Sequence, residues 1–283
     1  MVKPNSNNNT LEITSKCANN SLIAPLRERL LKLKQSTADW CDEEESHCFC
    51  NDKDNLCRFL VARDNNLDSA YTMAAAALKW RCEIKPSALT VADFPTANAQ
   101  GTWRFAGYAT NGWPIILVRA GLWDSYAYTT EEYVKFIACF LETNARRMDT
   151  TISPHGQRHF IIFDLKGMKY RCDMQKQKQL IKLANDYYPE RLGIALVINA
   201  NALFWGLWKL ISPWMDKATS EKVRVFQKDY MPFLEEHVGL ENVPKDLGGT
   251  MEGDWPLLSE ANHSSFLCPK NLPAATSSRP ASS

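Results

Sequence analysis

The chain has 283 residues, enough for one large domain or two small ones around a real core. Its composition, 45% hydrophobic and 23% charged, is that of a globular protein, and a net charge of +1 excludes a globally basic surface built for nucleic acid. Nine cysteines follow an N-terminus, MVKPNSNNNT, that lacks an apolar leader segment, so reduced thiols and a cytoplasmic location are expected rather than a secreted disulfide scaffold.

Residues 1–20 are rich in Asn and Ser and are expected to form a disordered tail, as are residues 259–283, which end in PAATSSRPASS. Residues 21–95 read as a small helical domain. Leu22, Leu26, Leu30 and Leu33 recur at helical spacing, and Leu56, Phe59, Leu60 and Ala62 do so again. Asp68 is placed to cap the alanine-rich SAYTMAAAALKWRCEI. Between them, CDEEESHCFC (Cys41–Cys50) reads as an acidic loop. Its Cys41, His47, Cys48 and Cys50 have no regular zinc spacing, so no metal is expected.

In residues 96–258 the period changes. WPIILVRA, HFIIFDL, LGIALVINA and VRVF are short apolar runs bounded by Gly, Pro, Asn or charge, with TEEYVKFIACFLETNARRMD and MQKQKQLIKLANDYY as helices between them. Strands buried on both faces and alternating with helices predict an α/β fold with a mostly parallel sheet.

The stretch NALFWGLWKLISPWMDK (Asn201–Lys217) is the most apolar part of the chain. No charge lies between Arg191 and Lys209, but Asn199 and Asn201 interrupt the run, so strand, turn and helix fit better than a membrane span. In a helix over Ala202–Ile211, ended by Pro213, the side chains of Leu203, Phe204, Leu207, Trp208 and Ile211 share one stripe. Trp205, Trp214 and Met215 widen the apolar surface beyond what one packing face needs. Pattern leaves two readings open: a core helix, or a cover that meets lipid.

Enzymatic readings find little support. CRFLVAR (Cys57–Arg63) has the C-x5-R spacing of cysteine phosphatases, but no glycine lets its backbone wrap an anion, and a packed helix is expected instead. No G-x-S-x-G, G-x-G-x-x-G, P-loop or H-E-x-x-H occurs, and His155 and His159 have no Ser or Cys partner nearby in sequence. The chain is read as a binding protein, not an enzyme.

Three blocks resemble the CRAL-TRIO family, and in particular its phosphatidylinositol/phosphatidylcholine transfer branch: RFLVARDNNLDSAYTMAAAALKWR (Arg58–Arg81), IIFDLKGM (Ile161–Met168), and YYPERLGIALVINANALFWGLWKLISPWMDKATSEK (Tyr187–Lys222) followed by ENVPKDLGG. The resemblance implies a helical domain preceding a sheet that floors an apolar lipid cavity. Leu203, Phe204, Trp205, Leu207, Trp208, Ile211, Trp214 and Met215 would then belong to a movable helix that covers the lipid and meets the membrane. It also implies a headgroup site of Arg63, Glu190, Arg191, Asp216, Thr219 and Lys222. There Arg63 and Lys222 take the phosphate, Thr219 donates to it or to the ring, and Glu190 orients Lys222 or accepts inositol hydroxyls. Taken singly, Arg63 could end a helix, Asp216 or Thr219 could cap one, and Glu190 with Arg191 could be a surface pair.

Two departures bear on the ligand. Asp64 stands where the family has a basic residue, and His159 and Ile161 stand where it has hydroxyl donors for phosphatidylcholine. The resemblance thus implies a monomeric carrier of phosphatidylinositol or another hydrophobic lipid, transiently on membranes, with no cofactor and no nucleic acid. The alternative is a tocopherol, retinoid or squalene type of ligand. The remote alternative is a phosphatase using Cys57 and Arg63.

Overall fold

The protein is described by a computed structural model over residues 21–36, 42–148, 157–169 and 173–254. Both expected tails, together with Cys41 and His155, lie outside the described residues.

The N-terminal part is helical, as its spacing predicts: α1 (Ile23–Ser36), α2 (Glu43–Asn51), α3 (Lys53–Val61) and α4 (Leu67–Ile84). Leu26, Leu30, Leu56, Phe59 and Leu60 form its core with the alanines of α4. Two local expectations need correction. Asn66, not Asp68, caps α4, its side chain accepting from Ser69 N at 2.9 Å. The acidic stretch after Cys41 is a helix rather than a loop. Asp42 caps it by accepting from Glu44 N and Glu45 N, and three glutamates in its first turn complement the helix dipole.

The second part begins with α5 (Pro95–Ala99), β1 (Trp103–Tyr108), β2 (Pro114–Arg119) and α6 (Thr130–Arg146). It continues with β3 (His159–Asp164), α7 (Met174–Tyr187), β4 (Leu192–Ile198) and α8 (Ala202–Ile211), and ends with α9 (Lys217–Ser220), β5 (Val223–Val225) and α10 (Met231–His237). The five strands lie in sequence order. β2 to β5 are parallel and β1 is antiparallel to β2. The edge strand β1 has no counterpart among the sequence-predicted strands. Its WRFAGY carries a glycine and an exposed end, so it lacks the continuous apolar signature of a strand covered on both faces.

Strand alternation sorts the sheet into two faces. Ile115, Leu117, Phe160, Ile162, Leu196 and Ile198 point to one side and pack under Leu234 of α10 and Val238 at its C-cap. Ile116, Val118, Ile161 and Phe163 point to the other, where α6 and α7 cover part of the sheet through Phe136, Phe140, Leu180 and Leu183. A register shift in β4 matters here. His159 pairs with Leu192 but Phe160 pairs with Ile194, leaving Gly193 as an extra residue. Leu192, Ala195 and Val197 consequently all serve the same side despite their unequal spacing. Gly193 must be glycine, because a Cβ there would lie 2.3 Å from the Trp113 ring.

The two parts are joined by buried charge and by aromatic stacking. Arg81 of α4 reaches Glu45 at 3.0 Å and Glu142 of α6 at 2.6 Å, while Tyr188 donates to Glu142 at 2.8 Å. Beside them Trp80 stacks on Tyr187, centroids 4.5 Å apart.

Candidate functional site

The sheet face that α6 and α7 leave uncovered floors a cavity of about 560 Å3, within the range of about 300–1,000 Å3 typical of small-molecule sites. Val118, Ile161, Phe163, Ala195 and Val197 form the floor, Leu180, Ile181 and Ala184 of α7 form a wall, and α8 forms the roof. The charge-free run before Lys209 resolves into β4, a turn and α8. Asn199 takes the left-handed turn conformation, φ 56°, and Asn201 caps the helix by accepting from Phe204 N at 3.1 Å. Among the described residues no helix is long and apolar enough to cross a membrane.

The roof helix has two apolar sides. Phe204, Leu207, Trp208 and Ile211 line the cavity, with Met215 just beyond, and only Phe204 and Ile211 are buried. Phe204 settles against Leu165, Val197 and Ala200 and stacks on Trp208 at 5.8 Å. On the outside, Trp205 is 48% and Leu210 60% exposed. Trp208 thus faces the cavity, whereas Leu210, absent from the expected set, belongs to the outer face. The wide stripe could not reveal this, because every position in it is apolar and only the neighbouring sheet defines an inside. Leu203 is half-buried outside the cavity lining, and Trp214 lies beyond it, its carbonyl accepting from Asn185 Nδ2 of α7 at 3.3 Å.

All six expected headgroup residues, Arg63, Glu190, Arg191, Asp216, Thr219 and Lys222, line this same cavity. They arrive from four places: the turn after α3, the α7–β4 turn, α9, and the start of β5. Asp216 caps α9, accepting from Thr219 N at 2.6 Å and Thr219 Oγ1 at 3.1 Å, so the capping role holds alongside its place in the wall. Glu190 has φ 56° and its Oε2 lies 3.4 Å from both Arg158 Nη2 and Lys222 Nζ. It is no surface partner of Arg191. That arginine instead donates to Gln157 Oε1 at 3.0 Å.

This end of the cavity carries an excess of buried cations. Burial holds the Lys222 ammonium below its usual range against the pull of Glu190, and the Arg158 charge adds to the depression. Burial likewise lowers Arg158 and Arg191. Arg58, behind Arg191, is brought down to about 9 by burial and by the Arg191 charge. With Glu190 and Asp216 as carboxylates against Arg63, Arg191 and Lys222 in the lining, this end of the cavity still attracts an anion. Asp64, which also lines the cavity, subtracts from that field. Lys169 and Lys217, both exposed and both in the lining, were not among the expected residues. Each follows a helix-breaking segment where sequence offers no hint of direction.

The phosphatase alternative fails on geometry. Cys57 is completely buried within α3 and disulfide-bonded, and Arg58, Phe59, Leu60 and Val61 continue that helix, with Ala62 as its C-cap, instead of wrapping an anion. The expectation of reduced thiols fails at this position too. Among the described residues no group of three or more His, Cys, Asp or Glu side chains is placed to hold a metal ion. Asp164 of the IIFDLKGM block is buried and shapes the end of β3, accepting from Asn199 Nδ2 at 2.7 Å and Lys166 N at 3.0 Å.

A mostly parallel sheet roofed by a two-faced helix over an apolar hollow has counterparts among known proteins. The chain belongs to the CRAL/TRIO domain family, whose pattern matches residues 99–249. It is 30% identical over 217 residues to the phosphatidylinositol transfer protein CSR1 of Eremothecium gossypii, covering 72% of this chain and 48% of that one. To the SEC14 cytosolic factor of Kluyveromyces lactis it is 27% identical over 221 residues, covering 71% of this chain and 72% of that one. The crystal structure of Sfh5 matches with a TM-score of 0.61 at 15% identity, over 80% of this chain and 83% of that chain, a likeness of fold. The chain spans about half or less of the length of several curated relatives that it matches. Among these relatives are proteins named as phosphatidylinositol or phosphatidylinositol/phosphatidylcholine transfer proteins.

Proposed function

We propose that the cavity holds one phosphatidylinositol molecule or another hydrophobic lipid, and that the chain carries it between membranes or presents it at one. The observation that carries this reading is the joint lining of a single apolar cavity by the roof residues Phe204, Leu207, Trp208 and Ile211 and by the cations Arg63, Arg191 and Lys222. In this reading residues 21–95 are the helical N-terminal domain and residues 96–258 the lipid-binding domain of a cytoplasmic monomer that binds without catalysis.

The energetics favour a covered site. Each methylene kept from water is worth about 0.8 kcal/mol, so two acyl chains need on the order of 20 kcal/mol of shielding. Arg63 and Lys222 neutralise the phosphate, Thr219 donates to it or to the ring, and Glu190 alternates between Lys222 and the inositol hydroxyls. Swinging α8 outward opens the cavity and turns Trp205 to the headgroup region, where indole is favoured.

Native mass spectrometry of the purified chain is expected to reveal a retained phosphoinositide. An Arg63→Ala, Lys222→Ala double variant should lose it, and unchanged retention would remove the assigned site. A second reading, a carrier of a neutral hydrophobic ligand, is favoured by Asp64 at the mouth and by Ile161 in the floor. Extraction of a tocopherol, retinoid or squalene type of molecule in place of phosphoinositide would establish it.

A further inference from the structure

We propose that the loop at residues 120–128 is a fixed second lip of the cavity and that, together with the outer face of α8, it docks on an anionic bilayer. The inference rests on the membrane-carrier reading and adds to it a docking surface and the charge of the membrane that fits it.

The exposed apolar side chains single out this loop. Among the described residues five large hydrophobic side chains are exposed, and four of them stand on two segments. Trp205 and Leu210 belong to α8, while Leu122 and Tyr126, 47% and 64% exposed, belong to the loop after β2. Both segments line the same cavity, the loop through Ala120 and Trp123. Ala120 and Met168 pack on the cluster that holds Phe204 and Trp208, so the loop adjoins the roof. Lys169, next to Met168, lines the cavity and is exposed, and the cavity reaches the surface there.

The backbone of this lip is pinned at several points. Asp124 exchanges two hydrogen bonds with Gln100, at 3.0 and 3.2 Å. Trp123 Nε1 donates to the Tyr128 hydroxyl at 2.8 Å, and Lys176 Nζ donates to the carbonyl of buried Ser125. Gly121 lies so close to the next segment that a Cβ there would meet the Lys166 carbonyl oxygen at 2.3 Å. A lipid passing between bilayer and cavity needs an apolar path, and a swinging roof supplies one side of it. A lip that keeps its shape supplies the other and holds the chain in place meanwhile.

Charge selects the membrane. Residues 120–128, 165–169 and 202–217 carry four exposed lysines, Lys166, Lys169, Lys209 and Lys217, against two exposed aspartates, Asp124 and Asp216. Glu221 partly offsets Lys217 from 3.9 Å, and Asp246, which feels Lys166, is held by Arg119. Lysines beside exposed apolar side chains fit a leaflet of anionic lipid, whose surface potential attracts each of them. A second copy of the chain would instead set the same lysines against one another.

The test is flotation of the full chain with vesicles of phosphatidylcholine alone and of phosphatidylcholine mixed with phosphatidylserine. The wild-type chain is expected to bind the mixed vesicles more tightly. Lys166→Ala or Lys209→Ala should each lose about fivefold on the mixed vesicles and little on the neutral ones. A Leu122→Ser, Tyr126→Ser variant should lose roughly tenfold on both. Its retained lipid, read by native mass spectrometry, should not change, because neither side chain lines the cavity. Leu122→Trp keeps the lip apolar and should bind at least as tightly as the wild-type chain; weaker binding overturns the inference, and this variant decides if the serine variant does not fold. Wild-type flotation by the folded serine variant, unaltered binding by both lysine variants, or no preference for the mixed vesicles overturns it too, with the carrier reading left to stand on retained lipid. A wild-type dimer in sedimentation that the serine variant dissociates overturns it by giving the face to a second copy. A chain that retains no lipid yet floats in the expected pattern supports the docking surface and overturns the carrier reading.

Discussion

Glu190 Oε2 lies 3.4 Å from Lys222 Nζ, and the same oxygen lies 3.4 Å from Arg158 Nη2. One carboxylate therefore serves two largely buried cations, and the two ends of the pair are not equivalent. Glu190→Gln strands both cations and is expected to cost about 1–3 kcal/mol of stability. Lys222→Ala leaves Arg158 to pair with Glu190 and should cost under about 1 kcal/mol, yet it should be the more damaging of the two for phosphoinositide binding. Urea denaturation alongside a lipid-retention assay checks the contrast; equal effects of the two substitutions on both readouts would remove it.

Replacing Trp205 or Leu210 with Asp changes only the outer face of the roof helix. The stability cost should stay below about 1 kcal/mol, because both side chains are about half exposed or more. Vesicle-to-vesicle transfer of a fluorescent lipid should slow several-fold with the equilibrium lipid content unchanged. Trp208→Asp, by contrast, puts a charge in the cavity lining and should reduce the lipid held in solution as well as the rate. Equal transfer by Trp205→Asp and the wild-type chain would dissociate this face from membranes.

Arg81 joins the helical part to the α/β part through Glu45 and Glu142, with all three side chains largely buried. Removing it leaves two carboxylates without their counter-charge, and Arg81→Ala should cost about 3–5 kcal/mol. Chemical denaturation measures this directly. A loss below about 1 kcal/mol would mean that apolar contacts such as Trp80 on Tyr187 hold the parts together unaided.

His159 also predicts a pH dependence. Its pKa is about 3 in the folded chain against 6.5 for an unperturbed histidine, so between those values the unfolded chain binds the extra proton. The contribution is complete above pH 6.5 and is lost as pH falls toward about 3, with a slope of up to about 1.4 kcal/mol per pH unit. Carboxylates titrate in the same window, so the measurement is the difference in slope between the wild-type chain and His159→Gln. Parallel stability curves would mean that the imidazole is solvated.

Much of this protein was legible in its residues. The 3.6-residue spacing of Leu26 and Leu30, the unbroken apolar runs of β2, β3 and β4, and the Asn–Ala–Asn turn into Ala202–Ile211 are local patterns, and local patterns encode elements. The six residues singled out for a headgroup, whose types and order carry the family resemblance, all line one cavity. Local pattern was weakest where helix and loop chemistry overlap: the glutamates after Asp42 look like solvated loop, yet Glu45 is buried by its bonds to Arg81 and Ser87.

Direction and pairing came only from the tertiary structure. An apolar helix does not declare which of its sides is inside, so the inward turn of Trp208 and the outward turn of Leu210 depended on where β4 and α7 lie. The contact of Asn144 Nδ2 with His159 Nδ1 at 2.7 Å likewise joins residues that only packing brings together. Residue type and spacing determine which groups a chain possesses and which elements it forms; the long-range contacts determine what each group faces, and hence what it can bind.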